Sequence, residues 1–229
     1  VPVHKLPRTV FYRLHQQAGA TMVNFGGFAM PVKYGSIFQE HKAVRRYAGL
    51  FDISHMGRLD LAGSDVFEFL QKVTTNNALL LQPGMSQYTI IPSADTETLG
   101  FPIDDAYLYR NPDGNFRLVV NAGHTEADLE HLTDCIGNLD VQITDRSEDL
   151  AMLALQGPTS EAIMQKVLNM RDSKGSVPRN EKNAVSEASV FGRRITIAKT
   201  GYTGEPNGYE ITVPRKVAPK LLTAMLDKG

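Results

Sequence analysis

The chain has no tryptophan and only one cysteine, Cys135, among its 229 residues. A single thiol excludes an intrachain disulfide and any metal site built from several cysteines. An excess of one charge is also missing. Lys and Arg number 24 against 25 Asp and Glu, a formal net charge of −1. That balance argues against a nucleic-acid groove or an anionic lipid surface as partner. Long apolar runs are lacking too, so no segment suits a transmembrane helix. The start has no charged region leading into an apolar stretch, and no secretory signal is expected. What is present is 42% apolar, enough to build one large domain or two small ones.

Periodicity and caps predict six helices. They run over 9–18, from Ser36 to Gly49, from Ser64 to Val73, from Thr125 to Gly137, from Pro158 to Val167 and over 217–226. Ser36 with Gln39 reads as a capping box. Short β-branched runs predict strands at 58–61, 87–91, 103–109, 116–120, 141–144, 152–155, 194–198 and 209–213. Residues 170–188 are patternless and read as a loop. Helices and strands mix without strict alternation, which indicates α+β.

One repeat organises this order. Leu59-Asp-Leu61-Ala-Gly63-Ser64 and its helix match Leu153-Ala-Leu155-Gln-Gly157-Pro158 and its helix, offset by 94 positions. Val120 and the helix after it match Val213 and its helix at an offset of 93. Each half reads strand, helix, strands, helix, the succession of a ferredoxin-like unit. The expected division is 1–58 plus 148–229 as one domain, with 59–147 inserted.

Three segments could carry chemistry. Asp104-Asp105 lies in an apolar strand, where alternation sends one carboxylate to the core side. A pair at the start of a strand facing water is the structural alternative. In Asp52-Ile-Ser54-His55-Met56-Gly57, serine and histidine are neighbours and point apart on a strand. With no G-x-S-x-G elbow present, a hydrolase is not expected, and His55 reads as a hydrogen-bonded loop residue. In Thr200-Gly201-Tyr202-Thr203-Gly204-Glu205-Pro206-Asn207-Gly208-Tyr209-Glu210, glycine turns flank an aromatic ring and two carboxylates. His4, His15, His41, His124 and His131 show no metal-ligand spacing with one another.

Together these segments resemble the glycine-cleavage T-protein, or aminomethyltransferase, family. The likeness runs through Phe25-Gly-Gly27-Phe28-Ala-Met30-Pro31, Phe51-Asp-Ile-Ser-His-Met-Gly57, Thr74-Thr-Asn76, Gln87-Tyr88-Thr89, Ile103-Asp-Asp105, Val119-Val-Asn121-Ala122, Ala154-Leu-Gln-Gly-Pro158 and Thr200-Gly-Tyr-Thr-Gly-Glu205. The resemblance implies transfer of a methylene group from an aminomethyl-lipoyl arm on the H-protein to tetrahydrofolate, with release of ammonia. It implies no metal. It makes Asp105 the catalytic acid–base residue and Glu210 the partner of the pterin edge. Met56, Tyr88, Tyr107, Tyr109, Val119, Asn121 and Tyr202 are expected to line the folate pocket. A eukaryotic chain of this family would work in the mitochondrial matrix, a bacterial one in the cytoplasm.

Departures from the family pattern are Phe28 in place of tryptophan, Phe101 in place of the second glycine before the aspartates, and Pro206-Asn207 lengthening the turn before Glu210. That last change leaves Glu205 as the other candidate for the pterin. The family chain continues into an arginine-containing helical segment and a C-terminal β domain, which this sequence lacks. The present stretch alone is therefore expected to bind folate weakly and not to turn over. Related readings are a folate domain of a sarcosine or dimethylglycine dehydrogenase and a non-catalytic folate-binding relative of iron–sulfur assembly. The latter should carry a cysteine where Gly201-Tyr202 stand.

Overall fold

A computed structural model describes residues 2–95, 97–98 and 100–229 of the chain. Two compact units are formed. One comprises Val1–His55 with Glu148–Gly229, the other Met56–Ser147.

The first unit opens with α1 (Tyr12–Gln17) and a hairpin of β1 (Thr21–Phe25) and β2 (Phe28–Lys33). Gly26 and Gly27, at φ 55° and 83°, form the two-residue turn that matches strand twist only when both φ values are positive. Next come α2 (Ile37–Arg46) and β3 (Gly49–Asp52). The capping box expected at Ser36 does not form, because Ser36 makes no side-chain cap. Glu40 Oε1 instead accepts the N–H groups of Tyr34 (3.0 Å) and Gly35 (2.7 Å). The helix also stops short of Gly49, which begins β3 rather than closing α2.

The second unit contains β4 (Gly57–Ala62), α3 (Val66–Val73), β5 (Met85–Pro92), β6 (Pro102–Arg110), β7 (Phe116–Val120), α4 (Thr125–Ile136) and β8 (Gln142–Asp145). Its sheet runs β5-β6-β7-β4-β8, antiparallel throughout. α3 buries Val66, Phe69, Leu70 and Val73, an i, i+3, i+4, i+7 stripe. These pack on Leu59, Leu61, Leu108, Leu118 and Val120 of the sheet.

The chain then completes the first unit with β9 (Leu150–Gln156), α5 (Ser160–Leu168), β10 (Ser173–Gly175), β11 (Val185–Val190), β12 (Arg193–Ala198), β13 (Gly208–Pro214) and α6 (Ala218–Lys228). The sheet order is β10-β11-β12-β13-β9-β3. Strands β10 and β11 fall in the stretch read as a loop. Their sequences show weak alternation, and pairing with β12 is what orders β11.

Setting β10 aside, the two sheets have the same succession. Each unit keeps the strand, helix, strands, helix order, with at least three strands between its helices. The repeat glycines show why the motif recurs. Gly63 and Gly157 have φ of 135° and 128°, and a Cβ there would sit 2.0 Å from Asp140 O and 2.5 Å from Val44 O respectively. Each glycine admits backbone lying just ahead of an edge strand, β8 in one unit and β3 in the other. Among the described residues, no helix is long and apolar enough to cross a membrane.

Candidate functional site

β6 places its two carboxylates in different surroundings. Asp104 shares a face with Ala106 and Leu108, which pack into the core under the helices. Asp105 alternates to the opposite face with Tyr107 and Tyr109. Asp104 is only 9% exposed. Asn121, at the end of β7, ties the two together. Its backbone N–H donates to Asp104 Oδ2 (3.1 Å) and its Nδ2 to Asp104 Oδ1 (2.8 Å). The same Nδ2 reaches the carbonyl and Oδ1 of Asp105, each at 3.2 Å.

Sheet register gathers most of the expected residues around Asp105. Tyr88 pairs with Tyr107, and their rings meet edge-on at 5.8 Å. Tyr107 and Tyr109 are also 5.8 Å apart, and Val119 pairs with Tyr107. Met56 directly precedes Gly57, the register partner of Val120, and so lies at the same end of the sheet as Asn121. The Tyr88 phenol is held above its ordinary pKa, first by burial, then by its hydrogen bond to Asp105 and the charges of Asp105 and Asp104. It therefore stands as a donor toward Asp105.

Sequence reasoning misses Asp128. α4 buries Asp128, Leu132 and Cys135, so the aspartate occupies the first position of an i, i+4, i+7 apolar stripe. It is 0% exposed, and neither carboxylate oxygen meets a donor among the described residues. Burial and the nearby charge of Asp104 push its pKa up to about 8. One side-chain oxygen or ring nitrogen from each of Asp104, His124 and Asp128 lies within 4.8 Å of the other two. Spacing among histidines could not reveal this group, since two of its three members are aspartates. The usable signal was an acid in line with Leu132 and Cys135.

Glu210 and Tyr202 belong to the other unit and occupy different settings. Glu210 lies in β13, paired with Ala154 of β9 and Ala198 of β12, and is 5% exposed. Tyr202 stands in the loop before β13 and is 65% exposed. Gln156, also absent from the expected set, organises that loop. Its Nε2 donates to Thr200 O (3.0 Å), and its Oε1 accepts from Thr203 Oγ1 (2.8 Å). A Cβ at Gly201 or Gly208 would come within 2.2 or 2.4 Å of the Gln156 amide. Glu205 pairs with Arg45 at 2.7 Å. Pro206 and Asn207 sit in the turn, leaving Glu210 in the strand.

A different network surrounds Asp52, whose side chain is fully buried. It accepts from Thr9 Oγ1 (2.6 Å), His15 Nε2 (3.0 Å) and the Ser54 N–H (2.9 Å). Tyr34 Oη meets His15 Nδ1 at 2.8 Å. An acceptor on one side of the ring and a hydroxyl on the other assign the proton to Nε2. Burial alone would raise the Asp52 pKa, but the hydrogen bonds from His15, Thr9 and Ser54 hold it below the usual value. Ser54 Oγ donates to Met152 O (3.1 Å) and accepts from Met152 N (3.0 Å). That hydroxyl is a structural clasp.

Comparison with known proteins agrees with this architecture. The chain is 38% identical over 224 residues to an aminomethyltransferase of Thermus thermophilus, covering 98% of this chain and 61% of that protein. It thus spans about three fifths of that relative's length. The crystal structure of glycine cleavage system aminomethyltransferase T from Bartonella henselae superposes with a TM-score of 0.84 at 32% identity, over 97% of this chain and 57% of that one. A heterotetrameric sarcosine oxidase from Corynebacterium shares the fold alone, with a TM-score of 0.57 at 16% identity over 82% of this chain and 88% of that chain. Residues 11–229 match the GCVT N-terminal domain family, and the chain belongs to that family.

Proposed function

We propose that the chain is the N-terminal part of a tetrahydrofolate-dependent aminomethyltransferase of the glycine cleavage system. Its donor is the aminomethyl-lipoyl arm of the H-protein, and its products are ammonia and 5,10-methylenetetrahydrofolate. The observation that carries this reading is the Asp105 carboxylate, anchored by Asn121 on a strand face lined with tyrosines, in a chain whose relatives are named aminomethyltransferases. A folate nitrogen must lose its proton as it takes the methylene carbon, and a fixed carboxylate beside it can accept that proton. Asp104 is engaged on the helix-covered face, which leaves Asp105 for substrate. The tyrosines offer flat apolar contact to a heteroaromatic ring. Glu210 presents two acceptors suited to the paired N–H donors of a pterin edge. The sarcosine-type alternative rests on fold likeness alone. The relatives are bacterial, which favours a cytoplasmic over a mitochondrial setting.

The test is turnover of Asp105→Asn in a protein carrying this chain at the relatives' full length. A loss of roughly 10²–10⁴-fold with folding intact is expected. Near-normal turnover there, together with an inactive Asp104→Asn, would reverse the assignment. For the pterin, Glu210→Ala should weaken folate binding by about 1–3 kcal/mol, while Glu205→Ala changes it little. Calorimetry giving the opposite ranking would move the pterin contact to Glu205.

A further inference from the structure

We propose that Asp128 is a positioning residue, donating a carboxyl proton to Asp104 and so fixing Asn121 against Asp105. This rests on the acid–base assignment of Asp105 made above. Asp128 is fully buried, no donor among the described residues reaches its oxygens, and its neighbour is another carboxylate within 4.8 Å. Two carboxylate ions cannot share such a place without a proton or a cation between them.

The proton belongs on Asp128 rather than Asp104. Asp104 accepts two N–H groups from Asn121, one on each oxygen, and such bonds favour the ionised form. Asp128 accepts none, and only as a neutral acid does it become a donor. Among the described residues, His124, one turn earlier on the same helix, also brings a ring nitrogen within 4.8 Å. The upward displacement of the Asp128 pKa fits this arrangement.

The consequence reaches Asp105 through Asn121. Asn121 starts the turn into α4: its carbonyl accepts the His124 N–H (3.0 Å) and Thr125 Oγ1 (3.1 Å). Its amide nitrogen meanwhile spans both aspartates of β6. The helix is thus fastened to the strand twice, by Asn121 at its start and by the Asp128–Asp104 bridge one turn on. Loss of the proton puts two negative charges face to face and strains the fastening that aims Asn121 at Asp105.

The experiment compares Asp128→Asn, which keeps a neutral donor of similar shape, with Asp128→Ala, which removes it. Infrared spectra of the chain across the neutral to alkaline range should show a buried protonated carboxyl, absent in Asp128→Asn. The Asn121 side-chain amide resonance should move in Asp128→Ala and stay near its original place in Asp128→Asn. At the relatives' full length, Asp128→Ala should lower turnover about tenfold to a hundredfold through misplacement, with little change in KM for folate. Asp128→Asn should recover most of that loss and extend activity to higher pH. The idea is overturned if the carboxyl band persists in Asp128→Asn, or if the Asn121 resonance ignores Asp128→Ala. It is also overturned if Mn²⁺ or Zn²⁺ binds at these residues in the unmodified chain and not in Asp128→Asn. Should no aminomethyl transfer be found at all, the proposed function fails while the spectroscopic results still decide this inference.

Discussion

Each of the two units buries an aspartate, and the pKa values of the two aspartates are displaced in opposite directions. Asp52 is surrounded by a hydroxyl, an imidazole and a backbone N–H, all donating. Asp128 meets no donor among the described residues, and its neighbour Asp104 is another acceptor. Burial is complete at both side chains and so cannot explain the difference. The donors decide it: three hydrogen bonds outweigh desolvation and keep Asp52 ionised, whereas Asp128 has none to offset the same penalty. A buried acid is therefore read by counting the N–H and O–H groups aimed at it.

The largest test of this contrast is Asp52→Ala. It strips the partner from His15, Thr9 and the Ser54 N–H at once. A loss of about 3–5 kcal/mol is expected, since three buried donors lose their acceptor at roughly 1–3 kcal/mol each. Hydrogen exchange should place that loss in the unit of Val1–His55 and Glu148–Gly229. Unchanged protection of α1 and the β1–β2 hairpin would show that the network does not hold them.

A smaller effect comes from pH, and its sign differs between the units. The lowered pKa of Asp52 adds stability above its unfolded value, and that stability is lost as pH falls through the folded value. Asp128 behaves in the reverse sense. Its raised pKa gives stability that is full below the ordinary carboxylate value of 3.8 and is lost as pH climbs to about 8. Acid should thus loosen the first unit, whereas the unit of Met56–Ser147 should lose stability steadily as pH rises from the carboxylate range to about 8 and level off above it. Calorimetric melting across pH should show this decline vanish in Asp128→Asn. A decline that survives the substitution would mean that another group titrates there.

The smallest change is Tyr34→Phe, which removes one hydroxyl from His15 Nδ1. About 0.5–1.5 kcal/mol is expected. The Tyr34 phenol, raised to about 12 by burial and by the charges of Asp52 and Glu40, stays a neutral donor at ordinary pH. A cost equal to that of Asp52→Ala would mean the network fails as a unit rather than bond by bond.

What the sequence disclosed follows from how local each signal was. Strands β5, β6 and β7 were legible because alternation and β-branched residues mark them without outside help. The duplication was legible because Gly63 and Gly157 serve the same close backbone approach. β3 was not: four residues acquire strand geometry only by pairing with β9, far along the chain. Ser36 and Gln39 had the letters of a capping box, yet Glu40 supplied the acceptor. Most of the residues expected at the candidate site fall on one surface of the second unit's sheet, since Tyr88, Asp105, Tyr107, Tyr109 and Val119 share strand parity. Asp128 stayed hidden because an acid near a helix start looks like a solvated residue complementing the helix dipole. Gln156 stayed hidden because its partners are loop atoms that no periodicity reports.

The pairing of β3 with β9 also orders events in time. β3 ends at Asp52, and its partner begins at Leu150, so the first sheet cannot close until Met56–Ser147 has been synthesised. That intervening unit has no such delay. Its first and last strands, β4 and β8, pair with each other, and the Arg58 N–H reaches Ser147 Oγ at 3.0 Å. Its two ends leave side by side and can be drawn together early, which shortens the loop that remains to be closed between β3 and β9. On a growing chain the insertion is able to fold first. The stretch that ends at His55 then waits, with β3 unpaired, for a partner still inside the ribosome.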